Sequence, residues 1–442
     1  MADALSPYLP GILAIVAIAL WTALLYFANR KWDLSRWNLV PVGPFLMVKT
    51  KRGRDFIDRA ARFRRGWAVF GDLSIVLVGL TMVGITALLI WEAILVRNIP
   101  PERAPTPEML LGIPGINPII PLGYGVFALA IAVGIHEFMH GILSRVAKVK
   151  VESLGILLMI LPIGAFVEPS ETEMKALPRR ERARIYSVGA GINILLAILF
   201  GALFSTMMLS VQPVAPGVGI VAYSSDTSPA KVAGIPLGSI ITQVNGSATP
   251  TPADLRAATG RSQPGDNVTV VAWKDGASMP YTVRLGNDSG VPILGIRAVN
   301  TQTSIYHPFT DVDAYGGVPG ALLIYISLPL SGYAPLQAPL TDFYTVTGPW
   351  GAAPPEVFYL LANGLYWLFW LNLMLGATNA LPAIPLDGGF VFKDGVEALL
   401  GKVRKGISTE KRDRTVRAVS YTFALLILAL IVWQFVGPRL RF

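Results

Sequence analysis

Six stretches of this chain stay apolar for about the 20 residues a helix needs to cross a bilayer. They are Gly11–Asn29, Ala68–Val96, Pro118–Val146, Ile185–Val211, Val357–Leu381 and a last run within residues 393–442. In lipid no water bonds the backbone, so such runs must close their own hydrogen bonds as helices. With 53% hydrophobic and 15% charged residues over 442 positions, the class is an α-helical multi-pass membrane protein of about six spans. A net charge of +9 raises the possibility of a nucleic-acid partner. The basic residues instead sit in blocks beside the apolar runs, so the lipid bilayer is the partner and no nucleic acid is expected. The absence of Cys excludes disulfides and thiolate ligands.

The basic blocks orient the spans. No Lys or Arg precedes Gly11, whereas Arg30 and Lys31 follow the run, the reverse of a secretory leader. An uncleaved first span with its N-terminus outside is expected. Residues 30–65 carry eleven Lys/Arg against three Asp and form a cytoplasmic loop by the positive-inside rule, solvated or lying on the anionic leaflet. The second span returns outward, and the third runs inward toward Arg145, Lys148 and Lys150. Val151–Pro169 is apolar but broken by Gly155, Pro162 and Gly164, and both its flanks are basic. A segment that enters and leaves on one side fits, and its composition suits a membrane re-entrant β-hairpin. Glu168 at its end reads as an interfacial carboxylate. After the outward fourth span, residues 213–299 turn polar, with alternating strand-like runs and Gly turns, and form an inserted extracytoplasmic α+β domain. Ala321–Leu330 is too short to span and belongs on or in the outer face, as a gate or a static plug. The domain scheme is therefore 1–117 (two N-terminal spans and a basic loop), 118–212 and 357–392 (two parts of one core), 213–299, 300–356 and 393–442.

Chemistry concentrates at His136-Glu137-Phe138-Met139-His140, in the inner half of the third span. Only three histidines occur in the chain, and two are here. Residues four apart share a helix face, so both imidazoles can meet one metal ion, with Glu137 placed to take a proton from metal-activated water. Ionisable groups inside a membrane are costly and call for a function. Two imidazoles need a third, anionic ligand, and Asp387 offers one from Asn379-Ala380-Leu381-Pro382-Ala383-Ile384-Pro385-Leu386-Asp387-Gly388-Gly389, where two prolines end the fifth span in irregular backbone. In Gly189-Ala190-Gly191-Ile192-Asn193 the glycines permit close helix approach, and Asn193 is either helix–helix glue or a neighbour of the metal. Asn379 is a candidate hydrogen-bonding clamp for substrate. His307, in a Pro-flanked loop, reads as a surface histidine.

Together the His-Glu-x-x-His span and the later Asn-x-x-Pro-x-x-x-Leu-Asp-Gly stretch resemble the site-2 protease family of intramembrane metalloproteases. The resemblance covers roughly Pro118 to Phe390, with Ala380 where that family usually has Pro. It implies Zn²⁺ on His136, His140 and Asp387, Glu137 as the base, and Asn193 as the family's Gly-x-x-x-Asn feature. It also implies a transmembrane protein substrate cut in regulated intramembrane proteolysis. The first two spans lie outside the shared core and look like a lineage-specific addition. The Val151–Pro169 hairpin offers a strand edge that an unwound substrate could join. Ser228–Gly234, Gly238–Gly246 and Thr251–Arg256 resemble the PDZ family, with Ser239 where Asp is usual. That resemblance implies a peptide ligand whose carboxylate is held by Gly217-Val218-Gly219-Ile220 or by Leu294-Gly295-Ile296. The expected location is the cell membrane, active site toward the cytoplasm. A multi-spanning transporter or metal-handling protein is the alternative; it would not need Glu137.

Overall fold

The computed structural model describes residues 9–101, 104–110, 112–302, 305–403 and 408–440. The chain divides into two compact units, residues 1–199 with 368–442, and residues 200–367.

The first unit opens with helix α1 (Leu9–Trp32), a β-hairpin of β1 (Leu39–Val42) and β2 (Phe45–Thr50), and a short helix α2 (Arg54–Ala60). Helix α3 (Arg64–Leu95) and helix α4 (Leu122–Val146) follow. A second hairpin, β3 (Val151–Met159) and β4 (Leu161–Pro169), turns at Ile160, and α5 (Glu171–Ala176) leads into α6 (Arg179–Met208). Among the described residues five helices are long and apolar enough to cross a membrane, within Arg64–Asn98, Leu122–Val146, Arg179–Met208, Pro355–Asn379 and Thr409–Arg439. Helix α1, of 24 residues, stands where the first span is expected.

The hairpin expected at Val151–Pro169 is present, but it does not stand alone. Residues 39–50, expected as solvated loop, pair with it in one antiparallel sheet of order β1-β2-β3-β4. Thr50 lies opposite Leu154 and Leu46 opposite Leu158. The outer edge of β3 is therefore taken, and the sheet ends on β4. Charge in the surrounding loop masks this strand pair, although Gly43-Pro44 between two β-prone runs is itself a turn signal. The buried core of this unit joins Ile57 of α2, Met139, Ile142 and Leu143 of α4, Val151 and Leu154 of β3, and Ile185 and Val188 of α6. Gly141 makes that packing possible, since a Cβ there would sit 2.8 Å from the Ile57 methyl. Charged pairs tie the helix ends: Arg184 and Arg180 both grip Asp72 of α3, at 2.6 and 2.9 Å.

The second unit holds β5 (Val211–Pro213), β6 (Val218–Tyr223), α7 (Pro229–Val232), β7 (Ile240–Val244), β8 (Ser247–Ala248) and α8 (Pro252–Thr259). It continues with β9 (Asn267–Lys274), β10 (Ala277–Arg284), β11 (Gly286–Asp288), β12 (Val291–Ile293) and β13 (Ile296–Asn300). The main sheet runs β10-β9-β7-β6-β13, with β8 on β7, over a core of Val218, Ile220, Ile235, Val244, Val270 and Val283. Helix α8 starts with a capping box in which Thr251 and Asp254 bond each other's backbone N–H. Helix α9 (Gly317–Ser327) has 11 residues, too short to span, as expected of that segment. β14 (Tyr344–Val346) pairs with β5, and helix α10 (Pro355–Asn379) begins here and ends in the first unit. Helices α11 (Asp387–Val403) and α12 (Thr409–Val436) complete the first unit.

Candidate active site

The four residues singled out for chemistry lie in the first unit. One helical turn separates His136 from His140 on α4, and their Nε2 atoms converge to 3.2 Å. Asp387 Oδ2 arrives from the start of α11, 3.2 Å from His136 Nε2 and 3.1 Å from His140 Nε2. The three donors form an almost equilateral triangle. For Zn²⁺ with bonds of about 2.0 Å, the edge between two tetrahedral ligands is about 3.3 Å. The triangle therefore fits three corners of a tetrahedral zinc site, the protein-ligand count of a catalytic one.

Local structure explains how the donors meet. His140 Nδ1 lies 2.8 Å from the Ile185 carbonyl of α6; a proton on Nδ1 is donated there and Nε2 keeps its lone pair for a metal. His136 Nδ1 is buried without a partner among the described residues. Two prolines do end α10 in irregular backbone, but Asp387 itself opens a new helix, where a carboxylate suits the positive end of the helix dipole. A Cβ on Gly389 would meet the Ala383 carbonyl carbon at 2.5 Å, and one on Gly388 would overlap the Ala380 carbonyl oxygen. Only glycines let this turn press against residues 380–384. Ala380 is fully buried against Val78 and Ala190, and its N–H donates to the Gly376 carbonyl at 3.0 Å, a bond that Pro could not make.

Sequence reasoning undervalued Gly189. A Cβ on it would lie 2.6 Å from His136 Nε2 and closer still to His140 Nε2, so α6 leaves the donor triangle room only because this residue is glycine. Its signal was present in the Gly-Ala-Gly-Ile-Asn run, read only as helix packing. Asn193 is fully buried, and its amide donates to the Ala132 carbonyl of α4 at 3.4 Å, one turn before His136. Its Oδ1 has no partner among the described residues. Asn379 Nδ2 donates to the Leu375 carbonyl of its own helix at 3.0 Å. Glu137 Oε2 accepts the Val167 N–H of β4 at 3.0 Å, a contact no sequence signal announces. Glu168 accepts from Lys49 of β2 at 2.7 Å and from Ser153 at 2.5 Å. His307 lies in the other unit, bonded to Thr310 at 3.1 Å.

A family model for peptidase family M50 matches residues 124–429, spanning the whole donor set. The chain belongs to peptidase family M50. The resemblance to site-2 proteases is thereby borne out, and with it a membrane-embedded zinc metalloprotease in place of a transporter. Uncharacterized protein MJ0971 of Methanocaldococcus jannaschii is 25% identical over 434 residues, 96% of this chain and 95% of that one. At 96% of this chain, that match also takes in residues before 124, where the family model begins. Zinc metalloprotease RasP of Oceanobacillus iheyensis is 24% identical over 274 residues, 61% of this chain and 62% of its own. Among solved structures, the PDZ domain of an SdrC-like protein of Listeria monocytogenes matches at 21% identity and TM-score 0.18, covering 21% of this chain and 95% of that domain.

Proposed function

We propose that this M50 peptidase cuts transmembrane protein substrates within or at the edge of the bilayer, as a step of regulated intramembrane proteolysis. The carrying observation is that three donor atoms from α4 and α11 converge at 3.1–3.2 Å beside Glu137.

 247 positions separate His140 from Asp387, so only the folded chain can bring them together. In this reading His136, His140 and Asp387 hold Zn²⁺, which when bound polarises the scissile carbonyl and acidifies water. Glu137 takes the proton from that water and passes it to the leaving amine. Its bond to Val167 ties the carboxylate to β4.

β4 is the end strand of its sheet. Val167 turns its N–H away from β3, and by the two-residue alternation of an antiparallel ladder Ala165 presents its N–H and C=O on the same side. An unwound substrate segment adding there would be drawn out straight past Glu137. Asn193 supports the site by bracing α6 on α4, and Asn379, the last residue of α10, is assigned as a hydrogen-bonding clamp for substrate. The basic blocks support a cell-membrane protein of six spans with the hairpin re-entrant, the site toward the cytoplasm and residues 213–299 outside. There the PDZ-like domain selects substrates through a peptide ligand. β6 is flanked by β7 and β13, whereas β13 ends the sheet, which favours Leu294-Gly295-Ile296 over Gly217–Ile220 as the carboxylate loop.

Glu137→Gln tests the chemistry. Purified in detergent, it should hold about one zinc per chain by elemental analysis yet lose cleavage of a membrane substrate by at least about 100-fold. Undiminished cleavage by that variant would remove Glu137 from the mechanism.

A further inference from the structure

A cavity of about 320 Å³ lies where the start of α3, the end of α4 and the start of α6 meet. Arg64, Arg65, Ala68, Lys148, Glu181 and Arg184 are among the residues lining it. The one carboxylate in that group is neutralised, because Arg184 bonds Glu181 at 2.8 Å as well as Asp72 at 2.6 Å. Arg64, Arg65 and Lys148 have no ion pair among the described residues. Three uncompensated cations thus face one cleft at the end of a membrane helix.

The apolar side of the cleft continues along α3. Arg65, Val69, Leu73, Val76, Leu80 and Val83 follow at helical spacing on one face, and the five apolar members are 47% to 71% exposed. From Val69 to Val83 this track measures about 21 Å at 1.5 Å per residue. That exceeds the half-thickness of a bilayer core, about 15 Å. A soluble phosphate would use the cations and leave the track idle, and an acidic peptide has no need of it.

We infer that this cleft binds the phosphate of an anionic phospholipid whose acyl chain lies along α3. Such a lipid bridges the N-terminal helices to the helix that carries His136 and His140, since Lys148 follows α4 directly. The chemistry required is one phosphodiester with a net negative charge, as in phosphatidylglycerol. Phosphatidylcholine, which is neutral overall, should not be retained.

The test uses the full chain in nanodiscs of mixed phosphatidylglycerol and phosphatidylcholine, released into native mass spectrometry to count retained lipids. Wild type should keep one phosphatidylglycerol. The variant Arg64→Gln/Arg65→Gln/Lys148→Asn should lose it; Asn is chosen because residue 148 has φ 66°, which Asn tolerates. Each cation near an anionic lipid is worth about fivefold, so retention should fall on the order of 100-fold at low salt. A control with the same charge loss from the same loop, Lys51→Gln/Arg52→Gln/Arg62→Gln, should retain lipid as wild type does. Equal retention by the cleft variant, or equal loss by the control, overturns the site. Displacement of the lipid by millimolar inorganic phosphate overturns its assignment to a phospholipid.

Discussion

Replacing Gly189 by Ala is the sharpest test of how α6 shapes the metal centre. The added Cβ would stand 2.6 Å from His136 Nε2, whereas ordinary van der Waals contact begins at 3.4 Å. An imidazole must therefore retreat by about 0.8 Å, several times the roughly 0.2 Å tolerance of a zinc–ligand distance. Perturbing the surroundings of a metal-bound His lowers affinity about 10–100-fold, and a misplacement near 1 Å costs about 100-fold in rate. Helix propensity works the other way, favouring Ala over Gly by about 1 kcal/mol in a helix interior, so the variant should still fold. Zinc affinity, read by competition with a chromogenic chelator, should drop within that range, and turnover should drop with it. Gly134→Ala on α4 is the matched control, since nothing lies within 4 Å of a Cβ there. If Gly189→Ala bound zinc and cleaved substrate like wild type, the donor triangle would not be the metal site.

The Lys49 ammonium holds the Glu168 carboxyl below its ordinary value, helped by Ser153 and opposed by burial. A depressed acid stabilises the fold above its unfolded value of about 4.5 and loses that contribution as pH falls through the lower, folded value. Glu168→Gln should therefore cost no more than about 1 kcal/mol at pH 7, since the pair is partly exposed, and nothing once pH is low enough to protonate Glu168. Unfolding midpoints at several pH values check this, and a cost that grew toward acid would refute it. Deleting residues 214–300 with a short linker should leave zinc content unchanged and alter which substrates are cut. Loss of zinc from a folded deletion protein would show that the PDZ-like domain serves the metal centre.

The proposed ligands are legible because they are local or rare. The His136/His140 spacing is a helix property, and Asp387 was found by the chemical need for an anion beside two neutral imidazoles. What stayed hidden was backbone. The Ile185 carbonyl that orients His140 and the Val167 N–H that orients Glu137 belong to peptide groups every residue carries, so no side chain advertises them. Gly189 was visible as a letter, but its role depends on a distance across two helices. The β1–β2 pair failed for another reason: loop charge was weighed above the short alternation of Leu39–Val42 and Phe45–Thr50.

That pair changes what a minimal enzyme would be. A chain trimmed to begin at Pro118 would keep His136, Glu137, His140 and Asp387. It would also strip Phe45–Thr50 from Leu154–Leu158 and bare the edge of β3. An extended polypeptide could then add along β3, on the opposite side of the hairpin from the strand that bonds Glu137. In the full chain that edge is covered, and the free edge across the sheet from β4 is the short, Pro-containing strand Leu39–Val42, a poor template for pairing.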